Sequence, residues 1–460
     1  MKKKYLVLIY VISLNASKTV FIPRSITTDP TFDLNMLFDN ESEDKTFNVK
    51  FGFNPFFISS TSASAITKYF VPCDDQLYIR EDATCNIASP WLYLLSSTET
   101  GFSSNVYLKP EYKKRGVLLS GLIHFPDIWR GLWLQCNIAP LKAFRKLNVR
   151  ETSLGEEGVI TGYQNTTQAL SSFSTNLFKN RVSIAGIDDI QLKMGFVIKE
   201  GARLHFDFYG VGIIPTSNKQ TSYYFAEPYL GNGGHGGIGI GMNGSGVASE
   251  DAKYRWRLLG DIKYFYLFEQ CAKRCFDLYN GDWSRYLLCA FEAVPTVALP
   301  LLPEVTNNCL VNPRGQLNFL LASEHLFQRF FIRYGVNVWL RQSERLKLFG
   351  NDFNTLGIFD LKGARQGNAV SASKAQIWQT AGVDNVASSD SSFVRLTNSD
   401  INPSSAALPD VYTFKLFAGC GYLNKDRGLE FGLHGFYEWA NYRSAMNQWG
   451  LWLTTSFYFI

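Results

Sequence analysis

Apolar and polar side chains alternate with a period of two repeatedly along the chain, in stretches matching the ~9 to 11 residues that a tilted strand needs to cross a bilayer. Over residues 254–268 one parity reads Tyr254, Trp256, Leu258, Gly260, Ile262, Tyr264, Tyr266 and Phe268, while the other carries Arg255, Arg257, Asp261 and Lys263. Successive strand side chains point to opposite faces, so such a segment has one apolar and one charged face. Residues 190–198 set Ile190, Leu192, Met194, Phe196 and Ile198 against Gln191 and Lys193. A turn at Glu200 and Gly201 leads to Leu204, Phe206 and Phe208, opposed by Arg203, His205 and Asp207. Farther on, Phe330, Ile332, Tyr334, Val336, Val338 and Leu340 oppose Arg333, Asn337 and Arg341, and Leu429, Phe431, Leu433, Tyr437 and Trp439 oppose Glu430, His434 and Glu438. The same alternation is weaker at 47–57, 116–125, 130–139, 236–248, 315–325, 411–422 (which carries Lys415) and 449–460.

The connections follow a second rule: every other one is short, at 126–129, 200–201, 249–253, 326–327 and 424–427. Between them lie long polar stretches such as 59–114, 140–189, 271–314 and 343–410. Short turns on one rim and long loops on the other are what a membrane barrel with both termini in the periplasm produces. A soluble sandwich has no reason to sort its loops in this way. The expected fold is therefore all-β, a transmembrane antiparallel up-and-down barrel of about 12 strands with long extracellular loops.

From residue 47 to the end the chain resembles the bacterial outer-membrane β-barrel proteins of porin-like type. The residues that carry the likeness are the alternating strands and the final run Trp449, Gly450, Leu451, Trp452, Leu453, Thr454, Thr455, Ser456, Phe457, Tyr458, Phe459, Ile460. Members of that class end on an aromatic-rich alternating strand, often with a final Phe, which the barrel-assembly machinery reads during insertion; here Phe459 precedes Ile460. The resemblance implies a multi-pass position in the bacterial outer membrane, contact with its lipid, and passage of small hydrophilic solutes. It is silent on which solute.

Composition agrees with a barrel and adds a route of export. Aromatic residues make up 15% of the 460 residues, charged residues 18%, and glycine is plentiful at 37. Lys2, Lys3 and Lys4 precede an apolar run from Tyr5 to Leu14 and then Asn15, Ala16 and Ser17, which reads as a signal peptide over residues 1–16. Removing its three lysines lowers the net charge from +5 to +2 (5 minus 3), too small a balance to suggest nucleic acid as a partner. Residues 17–46, with Pro23, Pro30, Asp39, Glu41, Glu43 and Asp44, read as a periplasmic lead-in or as a plug of the pore mouth, the lead-in being preferred. Residues 47–460 form the barrel.

An exported chain meets an oxidising compartment, so its eight cysteines suggest disulfides. The expected pairs are Cys73 with Cys85, and Cys271, Cys275, Cys289 and Cys309 among themselves, with Cys136 and Cys420 free and buried within strands. No second tight cysteine pair or histidine accompanies the 271–275 spacing, so no metal site is expected. The glycine-rich stretch 230–246 lacks the Gly-Lys-Ser/Thr ending of a phosphate loop and reads as a flexible external loop entering a strand. The five histidines belong to no catalytic motif; neither an enzymatic role nor a cofactor is expected.

The functional expectation rests on the polar parity. Lys193, Arg203, His205, Asp207, Arg255, Arg257, Asp261, Lys263, Arg333, Asn337, Arg341, Lys415, Glu430, His434 and Glu438 are the expected pore-lining set. Charges on the lipid face would cost ~2 to 4 kcal/mol for Arg or Lys at the midplane, so their placement on one parity argues for a wet interior. The cations Arg255, Arg257, Lys263, Arg333 and Arg341 would favour anions. The alternative function is a closed barrel that anchors long loops for surface adhesion. Homo-oligomers are compatible with either.

Overall fold

The structure, a computed structural model, describes residues 18–37, 48–61, 63–71, 76–80, 87–92, 94, 102–125, 131–154, 163–199, 201, 203–349, 353, 355–359, 375–377, 395–424, 427–441 and 445–459. The signal-peptide segment 1–16, the acidic stretch 39–44, the turn at 126–129, Cys73, Cys85 and Ile460 lie outside the described residues.

Twelve antiparallel strands form a closed barrel in chain order. They are β1 Asn48–Ser60, β2 Glu111–Phe125, β3 (Leu132–Ile138 continued by Pro140–Lys146), β4 (Arg181–Ile187 continued by Ile190–Lys199), β5 Leu204–Ile214 and β6 Gly237–Glu250. The second half comprises β7 Tyr254–Leu267, β8 Arg314–Phe327, β9 Phe330–Arg341, β10 Val411–Asn424, β11 Leu429–Ala440 and β12 Gln448–Phe459. Each strand pairs with its sequence neighbours, and β12 closes on β1 with Phe457 opposite Phe51. Closure matters because a sheet edge in hydrocarbon would leave backbone N–H and C=O groups without partners.

The two faces separate as the alternation predicts. Leu433 is 54% exposed and its neighbour His434 1%; Met194 is 56% exposed and Lys193 2%. Apolar side chains thus cover the outside, and polar ones point inward. The turns at 251–253 and 328–329 are short, while the connections on the opposite rim are long except 441–447 between β11 and β12.

The structure corrects the expectation in four places. β3 runs on through Ala139 to Lys146 without a change of register, and β4 starts at Arg181, beyond a bulge at Asp188–Asp189, where a loop over 140–189 was expected. Arg203 lies exposed in the β4–β5 turn rather than on the inner wall, because strand pairing begins only at Leu204. The glycine-rich stretch is not loose: Gly231, Gly233 and Gly234 adopt left-handed φ of +52°, +70° and +86° in a buried turn. There a Cβ on Gly231 would meet the Asp189 carboxylate at 2.6 Å. The long connections are also folded. They build small sheets, such as Gln76–Arg80 with Ser103–Tyr107 and Gln270–Cys275 with Thr306–Asn312, around a core containing Trp91, Trp283 and Tyr286.

The fourth correction concerns sulfur. Cys271, Cys275, Cys289 and Cys309 are all free. Cys309 pairs in register with Ala272, one residue off Cys271, so the two cysteine side chains leave opposite faces of the ladder, one buried and one exposed. Cys289 belongs to a different sheet, opposite Leu299 and Ile358. Cys136 and Cys420 are free as expected but lie on the outward parity, half-buried and exposed. Burial pushes the Cys275 thiol up to about 11, and the Cys289 and Cys309 thiols up to about 12. Since the thiolate is the nucleophile, these three should be inert at pH 8. A hydrophilic maleimide on native protein should therefore modify Cys271 and leave Cys275, Cys289 and Cys309 unmodified until unfolding. Peptide mapping that finds a disulfide among them would contradict this arrangement.

Candidate functional site: the barrel interior and its N-terminal occupant

The interior is occupied by the chain's own N-terminal segment, and residues 19–36 are buried throughout. Lys18 and Thr19 donate backbone N–H groups to the carbonyls of Tyr69 (2.9 Å) and Ser405 (3.2 Å), both in connections on the long-loop rim. At the other end, Lys50 near the start of β1 donates to the Asn35 carbonyl, and Met36 packs with Leu122, Trp133 and Tyr209. The segment thus runs from the long-loop rim down to the short-turn rim, where β1 begins. Its regular structure is limited to Pro30–Asp33, a 3-10 turn capped by Asp29, and Leu34–Leu37. The segment pairs with no barrel strand, and the barrel ladder is complete without it.

Its contacts to the wall are mainly polar, in three tiers. Toward the long-loop rim, Arg341 Nη1 donates to the Ile22 carbonyl at 3.0 Å and Lys114 Nζ to that of Arg24 at 2.9 Å. Asp188 accepts from Ser25 Oγ (2.9 Å) and from the backbone N–H of Ile26 (2.7 Å). Its neighbour Asp189 accepts from Ser217 Oγ (2.6 Å) and the Asn232 N–H (2.6 Å). The bulge thus ties the segment and the glycine turn to one point of β4.

In the middle tier, Arg24 donates to Asn337 Oδ1 at 2.6 Å and to Asn318, and stands 3.4 Å from Asp29. Asp29 also bonds Lys415, which is 3.5 Å from Glu438. Glu438 is held by Thr413 Oγ1 (2.5 Å) and Gln448 Nε2 (2.7 Å). One turn on, Asp33, only 1% exposed, accepts from Lys193 Nζ (2.5 Å), Gln135 Nε2 (2.7 Å) and Asn137 Nδ2 (3.1 Å). Between the two carboxylates Phe32 sits against Trp452, Phe436 and Phe56, with centroids 5.0, 6.0 and 5.7 Å away. With Phe21, whose ring lies 5.2, 6.3 and 6.5 Å from those of Tyr69, Phe70 and Tyr112, it gives the segment an apolar hold as well.

Toward the short-turn rim the wall charges pair with one another. Glu324 bonds Arg257 and Arg333, the latter at 2.5 Å, and Arg333 is 3.5 Å from Glu430. Tyr209 donates to Asp261 at 2.5 Å, and His205 Nε2 is 2.7 Å from Asp207. His434 bonds Thr454 at 3.0 Å and stacks on Trp452. Two cavities of about 10 Å³ remain there, one beside Met36 and His124 and the other beside Asn35 and Glu324. Each has room for about one water.

Of the expected pore-lining residues, Lys193, His205, Asp207, Asp261, Lys263, Arg333, Asn337, Arg341, Lys415, Glu430, His434 and Glu438 are buried against the interior. Arg257 is half-buried, and Arg255 is half-buried at the short-turn end, 3.5 Å from Glu250. Strand parity alone could have added Lys50, Lys114, Gln135, Asn137 and Glu324. The partners Arg24, Asp29 and Asp33 carry no such signal.

A closed antiparallel barrel with an apolar outer face, a polar interior and long loops on one rim is a β-barrel membrane protein of the bacterial outer-membrane type. No helix among the described residues is long and apolar enough to cross a membrane. No protein-family model and no curated protein matches the sequence. Among solved structures, an outer membrane channel from Pseudomonas putida F1 is similar at 9% identity and a TM-score of 0.37, over 92% of this chain and 100% of that one. The NanC porin is similar at 8% identity and a TM-score of 0.27, over 89% and 98%. The translocator domain of the autotransporter NalP from Neisseria meningitidis matches at 8% identity and a TM-score of 0.25, over 90% and 89%.

The buried Asp33 and Lys193 pair should dominate the seating of the segment. Breaking a buried ion pair from one side leaves an uncompensated charge, at ~3 to 5 kcal/mol. Asp33→Asn should therefore make residues 19–36 far more sensitive to added protease in detergent. The double variant Asp33→Asn/Lys193→Met should recover much of the protection. Equal sensitivity of the wild type and Asp33→Asn would show that the pair does not hold the segment.

Proposed function

We propose that the protein is a gated outer-membrane channel whose gate is residues 19–36, and that small hydrophilic solutes or ions pass when the segment leaves. The observation that carries this reading is the chemistry of the contact: a charged wall meets a segment that is bound by side-chain hydrogen bonds and ion pairs and adds no strand to the sheet. Water can replace each of those bonds, so withdrawal wets the lumen without breaking a rung of the barrel. With Asp29 and Asp33 gone, Lys193 loses its carboxylate, Lys415 keeps only Glu438, and Arg341 and Lys114 lose the Ile22 and Arg24 carbonyls. The Arg257–Glu324–Arg333 cluster keeps its internal pairing. The open pore should therefore prefer anions, chiefly through Lys193, Lys114 and Arg341. Insertion through the barrel-assembly machinery by way of β12 belongs to the same reading, which assigns no catalytic step.

A second reading, surface adhesion on a closed anchor, is favoured by the folded long-loop rim. Trp283 is fully buried there and donates to the Phe70 carbonyl at 2.7 Å, joining two different connections.

Planar-bilayer recording separates the two. The intact protein should be silent or open briefly, whereas a chain lacking residues 19–36 should conduct steadily with an anion-preferring reversal potential. That preference should shrink as salt rises and the screening length falls from ~10 Å at 0.1 M. A deletion variant that inserts, as judged by heat-dependent gel mobility, and stays non-conducting would favour the closed anchor.

A further inference from the structure

We propose that the outer surface of β2, β3 and β4 above the apolar belt is a binding site for the phosphate groups of the outer-leaflet glycolipid. Three cross-strand rows define it: Arg115, Lys142 and Ala185; Lys113, Phe144 and Ser183; Glu111, Lys146 and Arg181. These side chains face outward, because their alternating neighbours Lys114 and Arg145 point inward, to the carbonyls of Arg24 and Ala226. The patch therefore carries five cations and one acid.

Its internal arrangement is unfavourable without a partner. Arg115 stands directly opposite Lys142, and Lys146 directly opposite Arg181. Opposed side chains on a sheet face lie about 4.5 to 5.5 Å apart at Cβ, and like charges there repel. Glu111 is engaged with Lys113 at 3.3 Å, and among the described residues Arg115, Lys142, Lys146 and Arg181 form no ion pair. Arg115 and Lys142 both lean on the Phe144 ring, 5.0 and 5.3 Å from its centroid, which fixes their charged ends on the outer surface. Elsewhere in this barrel buried like charges are separated by carboxylates, as Arg257 and Arg333 are by Glu324. Here the patch's one carboxylate, Glu111, is shared between Lys113 and the opposed Lys146, and an anion from outside would separate the remaining cations.

The patch's height selects which anion. The row beneath holds Ile187 opposite Pro140, and Phe57 lies opposite Arg115; Ile187 and Phe57 are exposed on the lipid face. The cations thus begin where the apolar belt ends, on the long-loop side. In an outer membrane that level carries the phosphates of the outer-leaflet glycolipid, whose acyl chains would lie along Ile187 and Phe57. A cluster of several Lys and Arg at a membrane boundary is the electrostatic signature of an anionic headgroup site. The site is independent of gating by residues 19–36.

The purified full-length protein in non-ionic detergent should be titrated with bisphosphorylated lipid A, dephosphorylated lipid A, inorganic phosphate and polyglutamate, with binding read by native mass spectrometry and thermal unfolding. Lipid A should bind and raise the unfolding midpoint, and its dephosphorylated form should do so at least about tenfold more weakly. Lys142→Gln/Lys146→Gln/Arg181→Gln should weaken lipid A binding by a similar factor, yet unfold no earlier than wild type in lipid-free detergent, because opposed like charges have been removed. Equal binding of both lipid forms, or undiminished binding by the triple variant, overturns the proposal. So does saturation by phosphate or polyglutamate at the concentration that lipid A requires. If the variant does not fold, the comparison of the two lipid forms on wild type decides alone.

Discussion

Two buried ion pairs, Asp33 with Lys193 and Asp29 with Lys415, allow the rest of this structure to exist in its closed form. A wall built with lysines on its inner face is stable in one of two conditions: wet, or supplied with carboxylates. The N-terminal segment supplies them, four residues apart, and the aromatic contact of Phe32 with Trp452 and Phe436 sits between. The 3-10 turn Pro30–Asp33, capped by the Asp29 side chain on the Thr31 N–H at 3.1 Å, sets the relative position of the two carboxylates. A small local motif thereby spans the lumen from β10 to β4.

The long-loop rim depends on the same seating. The segment's first described residues bond connections that meet over the barrel, through Tyr69 and Ser405, and Asp188 and Asp189 join the segment to the glycine turn at 231–234. A change in that turn and a shift of the segment both act on one bulge of β4. The exterior has different electrostatics: the patch around Lys142 and Lys146 is left uncompensated by the chain itself.

The barrel was legible in the sequence because lipid on one side and polar groups on the other impose a period of two, which the strands follow apart from bulges in β4 and β6. Leu433 beside His434, or Met194 beside Lys193, shows the rule at single-residue resolution. The bulge at Asp188–Asp189 hid the far half of β4, since its extra residue moves the inward positions from even to odd numbers, Val182 before it and Gln191 and Lys193 after it; β3 keeps one parity from Trp133 to Arg145, and its far half was hidden by the charged outward residues Lys142 and Lys146. The plug was read only as the less favoured alternative to a lead-in, for a related reason: a segment held by side-chain bonds has no periodicity to read, and Arg24, Asp29 and Asp33 resemble any polar lead-in. Cysteine spacing misled because proximity in sequence says nothing about ladder face, and Cys271 and Cys309 fall on opposite faces.

The central claim is that residues 19–36 are separable from the wall, and native-state hydrogen exchange of the protein in detergent tests it most directly. Most of the segment's backbone N–H groups are outside the ladder, so their protection depends on its remaining seated. The amides of 19–36 should exchange together, through one opening well below the free energy of global unfolding, while those of β7 to β10 stay protected. Exchange of the segment only at the rate of the barrel strands would mean that it is a permanent core, and that the lumen does not open.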